Sequence, residues 1–179
     1  MMTIKEKQAA AFDTLKGVFG FTNVNESPKL VKITVSSGVG KADKARKALV
    51  ESRLARITGQ KPSARPSKQS IAQFKMRQGE IVGYQVTLRG TRMQDFFDKL
   101  IHITLPRTRD FRGLSATAID EMGNLTIGIK DHTIFPETAD EDLKDVFGLA
   151  ITIVTTAKDK KQADAFFRHL GIPFKPAAE

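Results

Sequence analysis

One short segment near the start of the chain alternates apolar and polar side chains, and it reads Leu30-Val31-Lys32-Ile33-Thr34-Val35. Its β-branched residues recur at every second position, which is typical of a strand with one face in the core and one face outside it. We therefore predict a β-strand here and locate the other elements relative to it.

Helices are predicted on both sides of this strand. Upstream, apolar residues recur at helical spacing from Ile4 to Phe19, and Gly20 suits the left-handed end of a helix, so an N-terminal helix is expected at about 4–20. Downstream, a tight turn over 36–40 leads to Asp43, which can cap a helix. The apolar positions of this second helix stop at Gly59.

A hairpin is predicted next. Pro62 and Pro66 remove backbone donors, which argues for an irregular edge strand between 61 and 68. The alternating segment from Ile81 to Arg89 predicts the returning strand. The polar loop between the two strands, at about 68–80, would then form the exposed tip of a long hairpin.

The second half continues the mixture of helices and strands. Thr91 and Gln94 stand at the spacing of a capping box and predict a third helix, which should end near Pro106. Strands are predicted at 125–130 and 150–155, followed by a last helix. The hairpin connections predict one α+β domain over 1–179, with an antiparallel or mixed sheet, helices packed on one face and the other face free.

Composition excludes several classes of protein. The chain has 179 residues, no cysteine, and 29 Lys+Arg against 20 Asp+Glu, a net charge of +9. Without cysteine it has no disulfide scaffold, thiolate zinc site or cysteine nucleophile. No run approaches the roughly 18 apolar residues of a membrane span, and the first residues lack the apolar core of a secretory signal. We expect a soluble, intracellular protein without a membrane partner.

The positive charge is concentrated in the first half of the chain. Residues 1–89 hold 17 basic and 6 acidic side chains, whereas residues 90–179 hold 12 and 14. No acidic residue occurs between Ser52 and Gly79, where seven Lys and Arg residues occur. A charge run alone is as often a solvated or disordered face as a binding surface. The Ser, Gln, Thr and Gly residues around these charges favour a polyanion partner, because they suit phosphate, sugar and base contacts.

Motifs of enzymes and metal sites are incomplete. The Gly38-Val39-Gly40 turn has Asp43 where a dinucleotide fingerprint needs a third Gly, and Ala42 where a P-loop needs Ser or Thr. We interpret it as a tight turn whose amides could still contact a phosphate. The three histidines lack partners at metal-ligand spacing, so surface or capping roles are expected. The acidic cluster around 140–145 does not match a calcium loop. We predict no enzyme activity, cofactor, metal or small-molecule substrate.

Eight segments are similar, in order and spacing, to one protein family. They are Lys32-Ile33-Thr34-Val35 with Gly38-Val39-Gly40, Ile57-Thr58-Gly59-Gln60-Lys61-Pro62, Phe74-Lys75 with Arg77 and Gly79, Val86-Thr87-Leu88-Arg89-Gly90 with Arg92-Met93, Leu105-Pro106-Arg107 with Arg109-Asp110-Phe111-Arg112-Gly113-Leu114, Gly123-Asn124, Ile134-Phe135-Pro136-Glu137 and Thr155-Thr156-Ala157-Lys158. One such string would be weak evidence of a relationship, but eight of them in order across nearly the whole chain are highly specific evidence. In these segments the chain resembles the bacterial large-subunit ribosomal protein L5 family.

The resemblance implies a non-enzymatic protein of the cytoplasmic ribosome, which binds 5S rRNA and large-subunit rRNA and helps to form the central protuberance. It implies that the free sheet face is concave and faces RNA, that the hairpin tip approaches P-site tRNA, and that another edge bridges to a small-subunit head protein. The alternative is a general RNA-binding module or RNA chaperone without 5S rRNA specificity. A nucleotide-binding enzyme built on the Gly38–Gly40 turn is the third hypothesis.

Carried over position by position, the resemblance assigns three groups of residues. The 5S rRNA group is Ser36, Gln60, Lys61, Arg65, Thr87 and Arg89. The tRNA-facing tip is Lys68, Ser70, Gln73, Phe74, Lys75 and Arg77. The inter-subunit bridge is Arg107, Arg109, Asp110, Phe111, Arg112 and Glu137. Ser36 stands where the family usually has Asn, so an amide is replaced by a single hydroxyl.

Overall fold

The computed structural model describes residues 3–109, 111–138 and 146–175. Its helices are α1 (Ile4–Phe19), α2 (Lys44–Thr58), α3 (Gly90–Lys99), α4 (Leu105–Arg107) and α5 (Lys160–Leu170). Its strands are β1 (Leu30–Gly38), β2 (Ser63–Pro66), β3 (Ile81–Leu88), β4 (Leu125–Ile129) and β5 (Leu149–Thr155). The predicted α+β class is confirmed.

The strands form an open antiparallel sheet in the order β2-β3-β1-β5-β4. In the β2–β3 pair, Ser63 lies opposite Gln85 and Arg65 lies opposite Gly83, and the register shifts between Arg65 and Pro66. Proline has no N–H to donate to a ladder, so β2 lies at the edge of the sheet, as predicted. The predicted hairpin is therefore confirmed.

Burial alternates along the strands, as the sequence pattern predicts. Ile33 and Val35 of β1 are buried, as are Val86 and Leu88 of β3, whereas the residues between them are only half-buried. In a strand, successive side chains point to opposite faces, so each strand has one apolar face and one more polar face. The polar face of β1 and β3 includes the predicted site residues Ser36 and Thr87.

The described residues divide into two compact units, each considered by itself. One unit consists of those within Met1–Ile33, Arg89–Ile127 and Thr152–Glu179, where α1 packs against α3 and α5. The other consists of those within Thr34–Leu88 and Gly128–Ile151, where α2 packs against β3 and against the 3-10 turn Pro136–Thr138. A single domain over 1–179 stays a prediction.

Helix ends follow the predicted glycines. Gly20, Gly59 and Gly171 are the C-caps of α1, α2 and α5, with φ of 67°, 66° and 98° respectively. These left-handed values favour glycine because it has no Cβ. Asp43 is the N-cap of α2, but its side chain makes no capping hydrogen bond.

The third helix differs from its prediction at its start. The predicted capping box is wrong, because α3 already begins at Gly90 and its N-cap, Arg89, makes no side-chain capping bond. The predicted end near Pro106 is confirmed, because the helical path ends at Arg107. Residues Leu100–Thr104 form a π-helical turn, after which Pro106 falls in the first turn of α4. Proline is tolerated there because the first turn of a helix has no partner for its N–H.

Candidate nucleic-acid interface

A polar surface lies on the hairpin strands and the adjacent part of β1, within the unit that contains α2. Residues opposite one another in an antiparallel pair share a face, so Ser63 and Gln85 lie side by side. The same face carries the residues that alternate with the buried Val35, Val86 and Leu88. We call this surface the polar face; it consists of Thr34, Ser36, Ser63, Arg65, Gln85 and Thr87.

Gln60 and Thr87, which are 27 residues apart in sequence, are brought into contact. The Gln60 side-chain amide nitrogen donates a hydrogen bond of 3.3 Å to the Thr87 carbonyl oxygen. Upstream, the Thr58 hydroxyl lies 2.7 Å from the Leu54 carbonyl oxygen and 3.1 Å from that of Gln60, which fixes the chain around the Gly59 cap. Two predicted RNA-reading residues are therefore held together by the end of α2.

Ser36 lies on the polar face, and its neighbour Ser37 lies on the opposite one. Ser37 is buried and donates a hydrogen bond of 2.7 Å to the Gly148 carbonyl oxygen. A Cβ atom at Gly83 would lie 2.9 Å from the Ser37 carbonyl oxygen, so the two backbones approach closely here. The half-buried Ser36 is thus positioned beside the hairpin by packing that its neighbour provides.

The predicted basic residues do not all reach solvent. Lys61, Arg65 and Arg89 are exposed, as the predicted RNA contacts require. Arg53 differs, because it is buried and its Nη1 lies 3.2 Å from His132 Nε2. The helical spacing with the apolar Val50 and Ile57 was the signal in the sequence that Arg53 faces the core.

The three histidines have different surroundings. His132 is buried and stacks on Phe147 with ring centroids 4.2 Å apart, so a surface or capping role is wrong for it. His169 Nε2 lies 2.7 Å from the Lys7 carbonyl oxygen, and His102 Nε2 lies 3.9 Å from Asp98. Among the described residues, no cluster of metal-ligating side chains occurs.

The hairpin tip has a defined backbone. Ile71 and Met76 form an isolated antiparallel bridge, and between them a 3-10 turn over Ala72–Phe74 leads into Lys75, whose φ is 51°. The Ser70 hydroxyl oxygen accepts a hydrogen bond of 2.9 Å from the Gln78 amide. Phe74 is 61% exposed, so this turn presents an aromatic ring to solvent rather than to a core.

A basic cavity of about 590 Å³ lies between the tip and the turn after β1. It is lined by Lys41, Ser70, Ala72, Lys75, Met76, Arg77 and Glu80. The contribution of Lys41 was missed in the sequence, because no local pattern relates it to a loop that begins 29 residues later, at Ser70. The amides of Val39 and Gly40 both donate to the Val82 carbonyl oxygen, at 2.9 and 3.1 Å. The suggested phosphate contact by these two amides is therefore wrong.

The predicted bridge residues lie in both units. Arg107, Arg109 and Arg112 are exposed, and Phe111 is half-buried. Glu137 is exposed on the 3-10 turn of the other unit. Asp110 and the acidic cluster Asp140, Glu141, Asp142 and Asp145 lie outside the described residues.

The loop after α4 is attached to the C-terminal segment. The Leu114 amide donates a hydrogen bond of 2.8 Å to the Pro173 carbonyl oxygen, and the Lys175 amide donates one of 2.8 Å to the Leu114 carbonyl oxygen. A Cβ atom at Gly113 would lie 2.8 Å from the Lys175 nitrogen. The end of this loop is therefore fixed by backbone contacts.

Burial also affects one tyrosine behind the polar face. Desolvation raises the pKa of Tyr84 above its usual range, and the nearby Glu51 carboxylate adds to this effect because it repels a phenolate. Tyr84 stays uncharged at neutral pH and belongs to the packing between α2 and β3.

A search of the described residues for membrane-spanning helices finds none, because none of their helices combines the required length with the required hydropathy.

Comparison with known proteins finds the same family in both halves of the chain. The family model described as ribosomal protein L5 matches residues 23–77, and a second model, which describes the C-terminus of the same ribosomal family, matches residues 81–174. A protein of Trichormus variabilis named large ribosomal subunit protein uL5 is 48% identical over 159 residues, which cover 88% of this chain and 87% of the relative.

Two further relatives carry the same name. The protein of Microcystis aeruginosa is 45% identical over 163 residues, which cover 90% of this chain and 91% of the relative. The protein of Dehalococcoides mccartyi is 44% identical over 176 residues, which cover 97% and 98%. The two family models and these relatives span nearly all of the fold described above, and the chain belongs to the ribosomal protein L5 family.

Proposed function

We propose that this chain is a structural constituent of the large ribosomal subunit and that it binds 5S rRNA through the polar face. Its family is structural and non-enzymatic, in agreement with the prediction of no enzyme activity, and relatives carry the name large ribosomal subunit protein. On this basis it acts on the ribosome, in the cytoplasm, with large-subunit rRNA as a further partner.

The observation that carries this proposal is the contact between Gln60 and the backbone of Thr87. It places an amide and a hydroxyl next to a strand face made of further hydroxyl and amide side chains, which can read sugar hydroxyls and base edges. Lys61 and Arg65 flank these groups and are exposed to meet phosphates. A general RNA chaperone needs the positive charge but not the ordered neutral groups.

Two substitutions test this proposal. Gln60→Ala and Thr87→Val should each reduce the free energy of binding to 5S rRNA by roughly 1–3 kcal/mol, because each removes a specific contact, with little change in salt dependence. Binding is measured as affinity for 5S rRNA over a range of salt concentrations. Lys61→Gln is the matched control: it should weaken binding to any RNA and lower the salt slope by roughly 1.

The outcomes separate the two RNA-binding hypotheses. If the chain binds an unrelated RNA of equal length as tightly as 5S rRNA, and neither substitution changes the affinity, the general RNA chaperone is the better description. Thermal unfolding of each variant establishes that a loss of affinity is not a loss of folded protein. The nucleotide-binding enzyme requires ATP or GTP to raise the melting temperature, and no such increase is expected.

We further propose that the hairpin tip contacts P-site tRNA. The ring of Phe74 and the basic cavity beside it offer a stacking surface and phosphate-binding cations, namely Lys41, Lys75 and Arg77. Lys68, Ser70 and Gln73 are exposed around them. The exposed Arg107, Arg109 and Arg112 are proposed, with Phe111 and Glu137, to bridge to the small-subunit head.

Phe74→Ala should weaken the binding of tRNA in the P site of the ribosome. Stacking on one base contributes about 1–3 kcal/mol, and the exposed ring has no core to stabilise. The measurement is the dissociation rate of tRNA from the P site of ribosomes that carry the variant. Phe74→Tyr, which keeps an aromatic ring, should behave like the unsubstituted chain. An unchanged rate with Phe74→Ala would contradict stacking by this residue.

A further inference from the structure

The helix α5 leads into a short segment that pairs with the loop after α4. Residues 173–175, which we call the C-terminal segment, form an isolated parallel bridge between Phe174 and Leu114. The Leu114 amide donates to the Pro173 carbonyl oxygen, and the Lys175 amide donates to the Leu114 carbonyl oxygen, both at 2.8 Å. Two such bonds on either side of one residue are the pattern of a parallel ladder. The loop is therefore paired with a segment that is distant in sequence.

Gly113 allows the two backbones to approach this closely. Its φ is 94°, in the left-handed region that favours glycine. A Cβ atom at Gly113 would lie 2.8 Å from the Lys175 nitrogen and 2.9 Å from the Phe174 carbonyl carbon. Both atoms belong to the backbone, which cannot turn aside as the end of a flexible side chain can. The residue just before this contact is Arg112, so the contact determines where its backbone lies.

The C-terminal segment is itself anchored to the core through α5. The Ile172 amide donates a hydrogen bond of 3.0 Å to the Phe167 carbonyl oxygen, and the Ile172 side chain is buried. The Arg168 guanidinium carbon lies 5.2 Å from the centroid of the Phe174 ring, and its Nε donates a hydrogen bond of 2.9 Å to the Asp164 carboxylate. A cation over an aromatic face is attracted to it. The segment therefore continues the rigid end of a helix.

Arg112 is exposed next to this anchored contact. An exposed guanidinium can bind a carboxylate or a phosphate, but a residue on an unfixed loop loses conformational freedom when it binds. A loop that is already held in its binding conformation avoids most of this cost. The contact with the C-terminal segment can therefore determine how tightly Arg112 binds another molecule.

We infer that the C-terminal segment positions Arg112 for the bridge to the small-subunit head. The inference rests on the proposed bridge, and it adds Phe174 and Lys175 as positioning residues. Neither has to touch the small subunit. The backbone of Lys175 holds Leu114, and the ring of Phe174 holds the segment to Arg168. All of these residues belong to the same compact unit.

Lys175→Pro tests the contact without changing the loop. Proline has no N–H, so the hydrogen bond to the Leu114 carbonyl oxygen is lost, whereas the control Lys175→Ala removes the charge and keeps the bond. Hydrogen exchange of the Leu114 amide in the free chain measures the bridge. Exchange should become about fivefold faster in Lys175→Pro, the effect of one lost hydrogen bond. An unchanged rate with proline, or the same increase with alanine, would overturn the inference.

Association of the ribosomal subunits measures the functional consequence. Large subunits that carry Lys175→Pro should bind small subunits about twofold to threefold more weakly, because Arg112 must then be ordered on contact. Lys175→Ala should leave the association unchanged. The amount of the chain in each purified large subunit is measured as well, so that poor incorporation is not mistaken for weak association. Unchanged association with Lys175→Pro would contradict a positioning role.

Phe174 provides a second variant that leaves every backbone hydrogen bond donor in place. Phe174→Ala removes the ring that lies over Arg168 and should weaken association as Lys175→Pro does. Phe174→Tyr keeps a ring over the guanidinium and should restore the unsubstituted value. An equal loss with alanine and with tyrosine would contradict the anchoring role of the ring.

An Arg112→Gln background separates positioning from a general loss of structure. Arg112→Gln alone should weaken association by up to about fivefold, the effect of one exposed ion pair. Adding Lys175→Pro should then have little further effect, because both changes act through the same guanidinium. Additive losses would overturn the inference and leave the bridge intact. Unchanged association with Arg112→Gln would instead overturn the bridge at this residue, whatever the exchange rate of Leu114.

Discussion

Replacing Phe167 by alanine is expected to reduce the free energy of unfolding by about 3–5 kcal/mol, the range for a fully buried phenylalanine. Phe167 is completely buried on α5, and its ring centroid lies 6.1 Å from that of Phe166. Its carbonyl oxygen also accepts a hydrogen bond from Ile172, just beyond the helix end. The cavity left by the ring is enclosed by well-packed elements and cannot collapse without moving them.

Urea unfolding of the free chain measures this loss. Phe74→Ala is the matched control, since it removes the same side chain from a position that is 61% exposed. It should change stability by no more than about 0.5 kcal/mol. If Phe167→Ala cost as little as Phe74→Ala, the packing of α5 described above would be incorrect.

Gly123→Ala should be almost as damaging, with an expected loss of about 2–5 kcal/mol. Its φ of 76° lies in the left-handed region, which disfavours a residue with a Cβ. The added Cβ would also lie 2.8 Å from the Ala157 Cβ and 3.1 Å from the Ala157 carbonyl oxygen. The turn that carries Gly123 would have to move, although its carbonyl oxygen accepts a hydrogen bond of 2.7 Å from the Thr155 hydroxyl.

Gly128→Ala provides the comparison. Gly128 lies within β4, has no left-handed φ, and nothing lies within 4 Å of a Cβ added there. Alanine should therefore be neutral or stabilise the chain by up to roughly 1 kcal/mol, because glycine has more conformational freedom to lose in a strand. The difference between the two variants in the same unfolding experiment isolates the conformational and steric requirement at Gly123.

Local patterns were sufficient for most of the architecture. The alternation over 30–35 and the glycine caps depend on neighbours in sequence, and β1, α1 and α2 were predicted within a few residues. The start of α3 was not predicted, because Thr91 already lies inside the helix. A capping-box spacing does not reveal whether the residue before it has already adopted helical geometry.

The candidate site was predictable only in part, because several of its contacts join residues that are distant in sequence. Gln60 and Thr87 were identified by resemblance, but the register that places Ser63 opposite Gln85 and Arg65 opposite Gly83 is set by strand pairing. Lys41 joins the basic cavity through contacts between distant segments. Arg53 could have been separated from the other cations, since its helical position lies among apolar residues.

The short edge strand β2 affects the tendency of the chain to aggregate before it binds RNA. An unpaired strand edge offers backbone groups to any other chain and invites intermolecular sheet growth. Here that edge comprises four exposed residues and ends in a shifted register at Pro66. Arg65 adds a charge that repels a second copy. A newly synthesised chain can thus remain unaggregated at this edge until it is incorporated into a ribosomal particle.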